Sequence, residues 1–241
     1  MIKIENTEVF GWEATIRGMR NPMNSWDKSD SIRCNGCDKD CSFLKWDNLP
    51  CIGENDLKLM KSLSKAGDDH GKFLRMINVT CDITAPLYWW KEFDTYKVGT
   101  VADSCSTMHK IHDKEFTLDD FSHEHLGDVW DEKDDNWFDH SNSVVYYGGE
   151  YGNTPKDILE FIVEALNHYR KMFLETKNKY YWWQMIQILP SSYNQKRTVQ
   201  LNYQVLKSMY HARKNHKLDE WHELCAWCES LPYFKEICLD V

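Results

Sequence analysis

Four cysteines, Cys34, Cys37, Cys41 and Cys51, fall within 18 residues, and the segment opens as C-x2-C around Asn35-Gly36. Two thiolates presented from such a turn can share one tetrahedral Zn²⁺, with Cys41 and Cys51 completing the ligand set. A metal held by four thiolates has no open position, so the expected zinc is structural. The alternative is a polar surface loop of reduced, inert thiols, because a second C-x2-C of matching kind is missing from this loop. Cys225 and Cys228 repeat the spacing inside LDEWHELCAWCESLP, which reads as a helix. Two thiols at i,i+3 there are expected in the core beside Trp221 and Leu224. Between Asp113 and Asp139 lie eleven acidic residues and two lysines, with His123 and His125 among them. They follow no ligand pattern such as an EF-hand, so a solvated acidic loop is expected. The phosphate-binding motifs G-x-G-x-x-G and G-x4-G-K-[ST] are absent, as are H-E-x-x-H and G-x-S-x-G. The Gly-rich run GGEYG (148–152) reads as a turn.

The 241 residues carry 29 Lys+Arg against 38 Asp+Glu, a formal charge of −9. That balance argues against duplex nucleic acid, whose phosphates need clustered cations. Hydrophobic residues at 42% and charged residues at 28% are globular values, so the chain is expected to bury a full core. No run reaches the roughly 20 apolar residues of a membrane span. The opening MIKIENTEVF alternates instead of building a signal-peptide core. Nine cysteines, an odd number, then fit a reducing compartment better than a disulfide scaffold, and a cytoplasmic location is expected.

The elements that must position any site follow from periodicity. Residues 2–10 alternate as a strand, and 11–20 read as a short helix ended by Asn21-Pro22. Asn55 or Asp56 is expected to cap DLKLMKSLSKAG, which Gly67 stops. INVTCDIT (77–84) is β-rich, and Pro86 opens the helix PLYWWKEFDTY, in which Tyr88, Trp89 and Trp90 read as core. Thr154-Pro155 is a cap and first-turn pair for a long helix. Its expected apolar stripe is Ile158, Phe161, Ile162, Ala165, Leu166, Tyr169 and Phe173. An apolar run at 180–190 ends at Pro190, and helices are expected over roughly 199–214 and 218–230. Without repeats or linkers, the order of elements fits one α+β domain over 1–241, a mixed or antiparallel sheet flanked by helices. The Cys-rich loop occupies about 31–53 and the acidic region about 113–153.

Three blocks in order resemble the flavin-dependent thymidylate synthases. The first is the helix 56–67 followed by Asp69-His70, where that family commonly has Gly-His. The second is TAPLYWWKEFDTYKVGTVADSCSTMHKI (84–111). There the family runs from a strand and helix into Arg-Gln-aromatic-x-Arg-His-Arg and then Asn-Glu-x-Ser-x-Arg. The third is Leu189-Pro190, then Asn202, then Arg213 within LNYQVLKSMYHAR, against Leu-Pro, Asn-x-Arg-Ser-Leu and Arg. The resemblance covers most of the chain outside the Cys-rich loop and the acidic stretch. This sequence departs from the signature: Thr95-Tyr96-Lys97 (or Tyr96-Lys97-Val98) replaces Arg-His-Arg. Met108 or Thr107 replaces the Arg of Ser-x-Arg, and Gln204 the Arg after Asn.

The resemblance implies reductive methylation of dUMP to dTMP by a homotetramer that binds FAD, with NAD(P)H and methylene-tetrahydrofolate as co-substrates. It implies Lys97, Ser104, Ser106, Gln204 and Arg213 at the nucleotide, Arg213 being the catalytic cation, and His70, Tyr96, Asn202 and Ser208 at the flavin. The chemistry is consistent: a nucleotide phosphate needs cations and directed donors, and a uracil ring attacked by hydride needs a cation or donor at its carbonyl. Arg213 is equally readable as a surface arginine paired with a nearby acid. Ser106 reads as an ordinary helix cap, a role compatible with phosphate contact. Two other outcomes suit the altered signature. One is a non-catalytic or nucleotide-binding relative with an eroded site. The other is a variant that hydroxymethylates a pyrimidine nucleotide.

Overall fold

The computed structural model describes residues 1–33, 49–127 and 154–240. Cys34, Cys37, Cys41, the acidic residues from 128 onward and the GGEYG turn lie outside them. The chain divides into two compact units: Met1–Ala85 with Trp89–Ser104 and Lys196–Val241, and Pro86–Tyr88 with Cys105–Gln195.

The first unit is built on a sheet of β1 (Lys3–Phe10), β4 (Asn78–Pro86), β6 (Asn194–Asn202) and β5 (Val101–Ser104), hydrogen-bonded in that order. β1 pairs antiparallel with β4, and β5 with β6. β4 alternates as a half-buried strand must, with Val79, Cys81, Ile83 and Ala85 inside. Its outward Asp82 accepts hydrogen bonds from Thr198 (2.7 Å) and Asn6 (2.9 Å) and pairs with Lys196 at 3.0 Å. These bonds hold its carboxyl at about 2, against an ordinary 3.8, Thr198 contributing most. A two-residue ladder joins β2 (Ile32–Arg33) to β3 (Pro50–Cys51).

Helices α1 (Trp12–Arg20) and α2 (Glu54–Lys65) begin and end near the expected residues, but the cap of α2 differs. Gly53 occupies the N-cap, and Asp30, 25 and 26 residues upstream, accepts from the backbone N–H of Asn55 and Asp56. Asp56 itself is fully buried. It takes a 2.6 Å ion pair from Arg20 and hydrogen bonds from the hydroxyls of Ser29 and Ser31. Burial would raise its carboxyl, but the bonds from Ser31, Ser29 and Arg20 prevail and hold it below its usual value. Local sequence favoured Asn55 or Asp56 as the cap, and the tertiary ion pair claimed Asp56 instead.

Helix α3 (Leu87–Phe93) buries Trp89, Trp90 and Phe93, with Trp89 against Trp221 at 4.9 Å between ring centroids. Helix α7 (Tyr203–Arg213) follows β6 directly, so residues 199–202, expected as helix, are strand. Val199 and Leu201 face inward at period 2, and Asn202 closes the strand and caps the helix. Helix α8 (Asp219–Glu229) buries Cys225 and Cys228 as expected, and burial raises both thiols, Cys225 to about 11.

The second unit contains α4 (Thr107–Lys110), α5 (Pro155–Thr176) and α6 (Lys179–Ile188), with α5 packed on α6. Thr154 caps α5 in a reciprocal box with Asp157, as Thr-Pro predicts. Of the expected stripe, Leu166 is buried and Ile162, Tyr169 and Phe173 pack against the core, but the buried face extends to one side. Leu159, Val163 and Leu166 are buried, whereas Ile158 and Phe161 are 44% and 38% exposed. α6 packing on that side selects the inward face. Asn167 of α5 pins the preceding segment by bonding both the N–H and the C=O of Phe116. No helix among the described residues is long and apolar enough to cross a membrane.

Candidate functional site

A cleft of about 490 Å³ opens on the first unit where three short segments meet. Asp68 and Arg75 come from the turn and short 3₁₀ helix after α2, which packs against α7. Tyr96, Lys97 and Gly99 come from the loop after α3. Asn202, Gln204 and Ser208 come from the joint of β6 with α7.

The loop is shaped by its own bonds. Tyr96 N–H donates to Phe93 C=O, and Thr100 Oγ1 donates to Tyr96 C=O. Gly99 sits at φ +82°, and a Cβ there would lie 3.0 Å from both Asn202 Nδ2 and Val205 Cγ2. Glycine is therefore required twice, for the left-handed backbone and for the close approach to α7. On the opposite segment Asn202 Oδ1 accepts from Val205 N–H, which commits its oxygen and leaves its Nδ2, a donor, on the side of Gly99. Gln204 Nε2 donates to Asp68 at 3.0 Å, tying α7 to the turn after α2. Tyr203, fully buried, anchors this joint: its N–H donates to Ile77 C=O and its hydroxyl to Pro232 C=O.

Arg213 stands behind this loop. Its Nη1 pairs with Glu92 at 2.8 Å, its Nε donates to Tyr96 Oη at 3.0 Å, and its guanidinium lies 4.7 Å over Trp221. Glu92 also accepts from Trp221 Nε1. The arginine thus reaches the cleft through the Tyr96 phenol. Accepting from Arg213 leaves the Tyr96 hydroxyl its own proton to donate, with a cation polarising it.

Of the residues expected from sequence, Tyr96, Lys97, Asn202, Gln204 and Ser208 share the cleft. His70 is exposed in the turn before the 3₁₀ helix and is not among the lining residues. Ser104 is exposed on β5 opposite Arg197, away from the lining. Ser106 belongs to the second unit and caps α4, accepting from His109 N–H at 3.1 Å. Cys51 is half-buried in β3, and no group of three or more metal-ligating side chains occurs among the described residues. Arg75 and Asp68 were missed. The available signal was scarcity: the chain has seven arginines, and Arg75 follows His70 by only five residues.

No protein-family description matches the sequence, and no curated protein matches it. Solved structures do. Thymidylate Synthase X (ThyX) from Helicobacter pylori, determined with FAD and dUMP, superposes at TM-score 0.62 with 14% identity, over 100% of this chain and 98% of that one. A second structure, flavin dependent thymidylate synthase ThyX from Helicobacter pylori complexed with FAD and dUMP, gives 0.63 and 15%, over 99% and 98%. Across its whole length, therefore, this chain resembles the flavin-dependent thymidylate synthases and has their fold.

Proposed function

We propose that the chain is a flavin-dependent thymidylate synthase-like enzyme that binds FAD and dUMP and methylates the uracil ring. The observation that carries this is the cleft. Tyr96, Lys97, Asn202, Gln204 and Ser208 meet there, and they are positions the family resemblance assigns to flavin and nucleotide. Its volume lies in the range of small-molecule sites, roughly 300–1,000 Å³. The donor set fits a phosphorylated ligand: Arg75 and Lys97 supply charge, and Asn202, Gln204 and Ser208 supply neutral polar groups. When bound, the flavin supplies the hydride, and methylene-tetrahydrofolate with NAD(P)H supplies the carbon and the electrons.

The chain's own residues bind and polarise. Lys97 and Gln204 hold the nucleotide, while Tyr96, Asn202 and Ser208 contact the flavin. Arg213 acts at the ring through Tyr96. Its charge strengthens the Tyr96 O–H as a donor to a carbonyl oxygen, where negative charge develops during hydride addition. Glu92 and Trp221 hold the guanidinium so that this donor is preorganised. The working unit is a cytoplasmic homotetramer of single-domain protomers, and Cys34, Cys37, Cys41 and Cys51 hold a structural zinc.

One observation favours a second reading. Arg213 is committed on both sides, to Glu92 and to Tyr96. A nucleotide-binding relative without catalysis would keep this arrangement for stability alone. Purified protein titrated with FAD, followed by turnover with dUMP, folate and reductant, separates the readings. The enzyme is yellow or binds added FAD, and its product carries a methyl increment. A hydroxymethyl increment identifies the variant chemistry, and FAD binding without product identifies the non-catalytic relative. Protein that neither contains nor binds flavin overturns the proposal.

A further inference from the structure

We infer that Arg75 is the arginine that binds the phosphoryl group of the cleft's ligand, a role resting on the function proposed above. Four of the seven arginines can be followed through their contacts. Arg20 is buried on Asp56. Arg170 donates to the His112 carbonyl in the second unit. Arg197 pairs with Asp94 and stacks on Trp90, and Arg213 is held by Glu92, Tyr96 and Trp221. Arg75, by contrast, lines the cleft, is exposed, and has no ion-pair partner among the described residues. Lys97 shares the cleft and is likewise exposed and unpaired among the described residues.

The single acid of the lining, Asp68, is hydrogen-bonded by Gln204, so the cleft carries two cations against one engaged carboxylate. Two cations that share an open cleft gain no stability from each other, since like charges repel, weakly where solvent screens them. An anion between them removes that repulsion, and a phosphoryl group offers the planar fork two oxygens at once. The arginines missing from the signature loop are thus replaced from another segment, the 3₁₀ helix Gly71–Arg75. Its buried Phe73 and Leu74 fix that helix to the core, so Arg75 projects from a supported base.

The test is a binding comparison on full-length protein with matched probes: deoxyuridine against dUMP, and riboflavin against FMN and FAD. Wild type prefers the phosphorylated member. In Arg75→Ala that preference falls about 10–100-fold, while affinity for the unphosphorylated member changes less than about two-fold. Arg75→Lys retains part of the preference, and Lys97→Ala lowers it on the same ligand pair. Loss confined to the dUMP pair assigns the phosphoryl group to the substrate, and loss confined to the flavin series assigns it to the cofactor. If Arg75→Ala keeps the full preference in both series, the inference is overturned and the proposed function stands. If wild type binds none of the probes, the proposed function falls and the inference with it.

Discussion

The Asp56 cluster and the cleft lie in the same unit and use the same kinds of side chain to opposite ends. At Asp56, one arginine, two hydroxyls and two backbone N–H groups converge on a carboxylate with no exposure at all. Every charge there is matched, because an unmatched buried charge would cost several kcal/mol. In the cleft, Arg75 and Lys97 stand in the open without partners among the described residues. Leaving them so costs little, because solvent screens them, but it stabilises nothing either. Charges that hold the fold are saturated. Charges kept for a ligand are not.

The largest expected effect breaks the saturated side. Asp56→Ala strands Arg20 in the interior and releases Ser29 and Ser31, and should destabilise by about 3–5 kcal/mol in denaturant unfolding. The double substitution Arg20→Met with Asp56→Leu should recover part of that loss, since it leaves no orphaned charge.

Arg213→Ala stands between the two cases. It removes an ion pair, a hydrogen bond and a stacked guanidinium at a partly exposed site, and about 1–2 kcal/mol of stability is expected to go with them. If Arg213 also polarises Tyr96, turnover should fall far more than ligand affinity. Equal falls would show that the residue only props the loop.

Gly99→Ala should cost about 1 kcal/mol or somewhat more, since the left-handed backbone and the contact with Asn202 both resist a methyl group. It should weaken ligand binding by moving the loop.

Asp82 supplies a pH-dependent counterpart on the sheet. Its folded carboxyl lies at about 2 against 3.8, so its contribution is present above pH about 4 and fades as pH falls towards 2. Asp82→Asn should flatten that acid limb in a stability-against-pH series. An unchanged limb would remove Asp82 as its source.

The smallest effect belongs to the unsaturated side. Arg75→Ala should shift unfolding by less than about 0.5 kcal/mol, the range of ordinary surface changes. A shift as large as that of Asp56→Ala would erase the distinction between the two regions.

Much of the fold could be read from local pattern because local forces set it. Thr154-Pro155, Gly67 and the alternation of β4 act within a few residues, and the structure follows them. Departures occur where a distant group intervenes. Asp30 caps α2 from across a loop, so Asp56 was free for Arg20. Asn202 ends a strand and starts a helix with no residue between, so the two periods merge in sequence and residues 199–202 imitate a helix. The face of α5 is chosen by α6, which the α5 sequence cannot specify. The cleft was legible in part. Tyr96, Lys97, Asn202, Gln204 and Ser208 came from resemblance to motifs, whereas Arg75 belongs to no motif and could be found only by seeing which arginines the fold had already used.

The tie between Gln204 and Asp68 bridges 136 residues, and that between Arg213 and Tyr96 bridges 117. A chain emerging from the ribosome completes two of the three cleft segments long before the third exists. Until residues 202–213 emerge and dock, Arg75 and Lys97 have no facing wall, and β6 is missing from its place between β4 and β5. Such long closures form late and slow the search for the native state. A nascent or truncated chain that lacks residues 202–213 therefore has the cations without the binding site, and ligand competence arrives in one step with that segment.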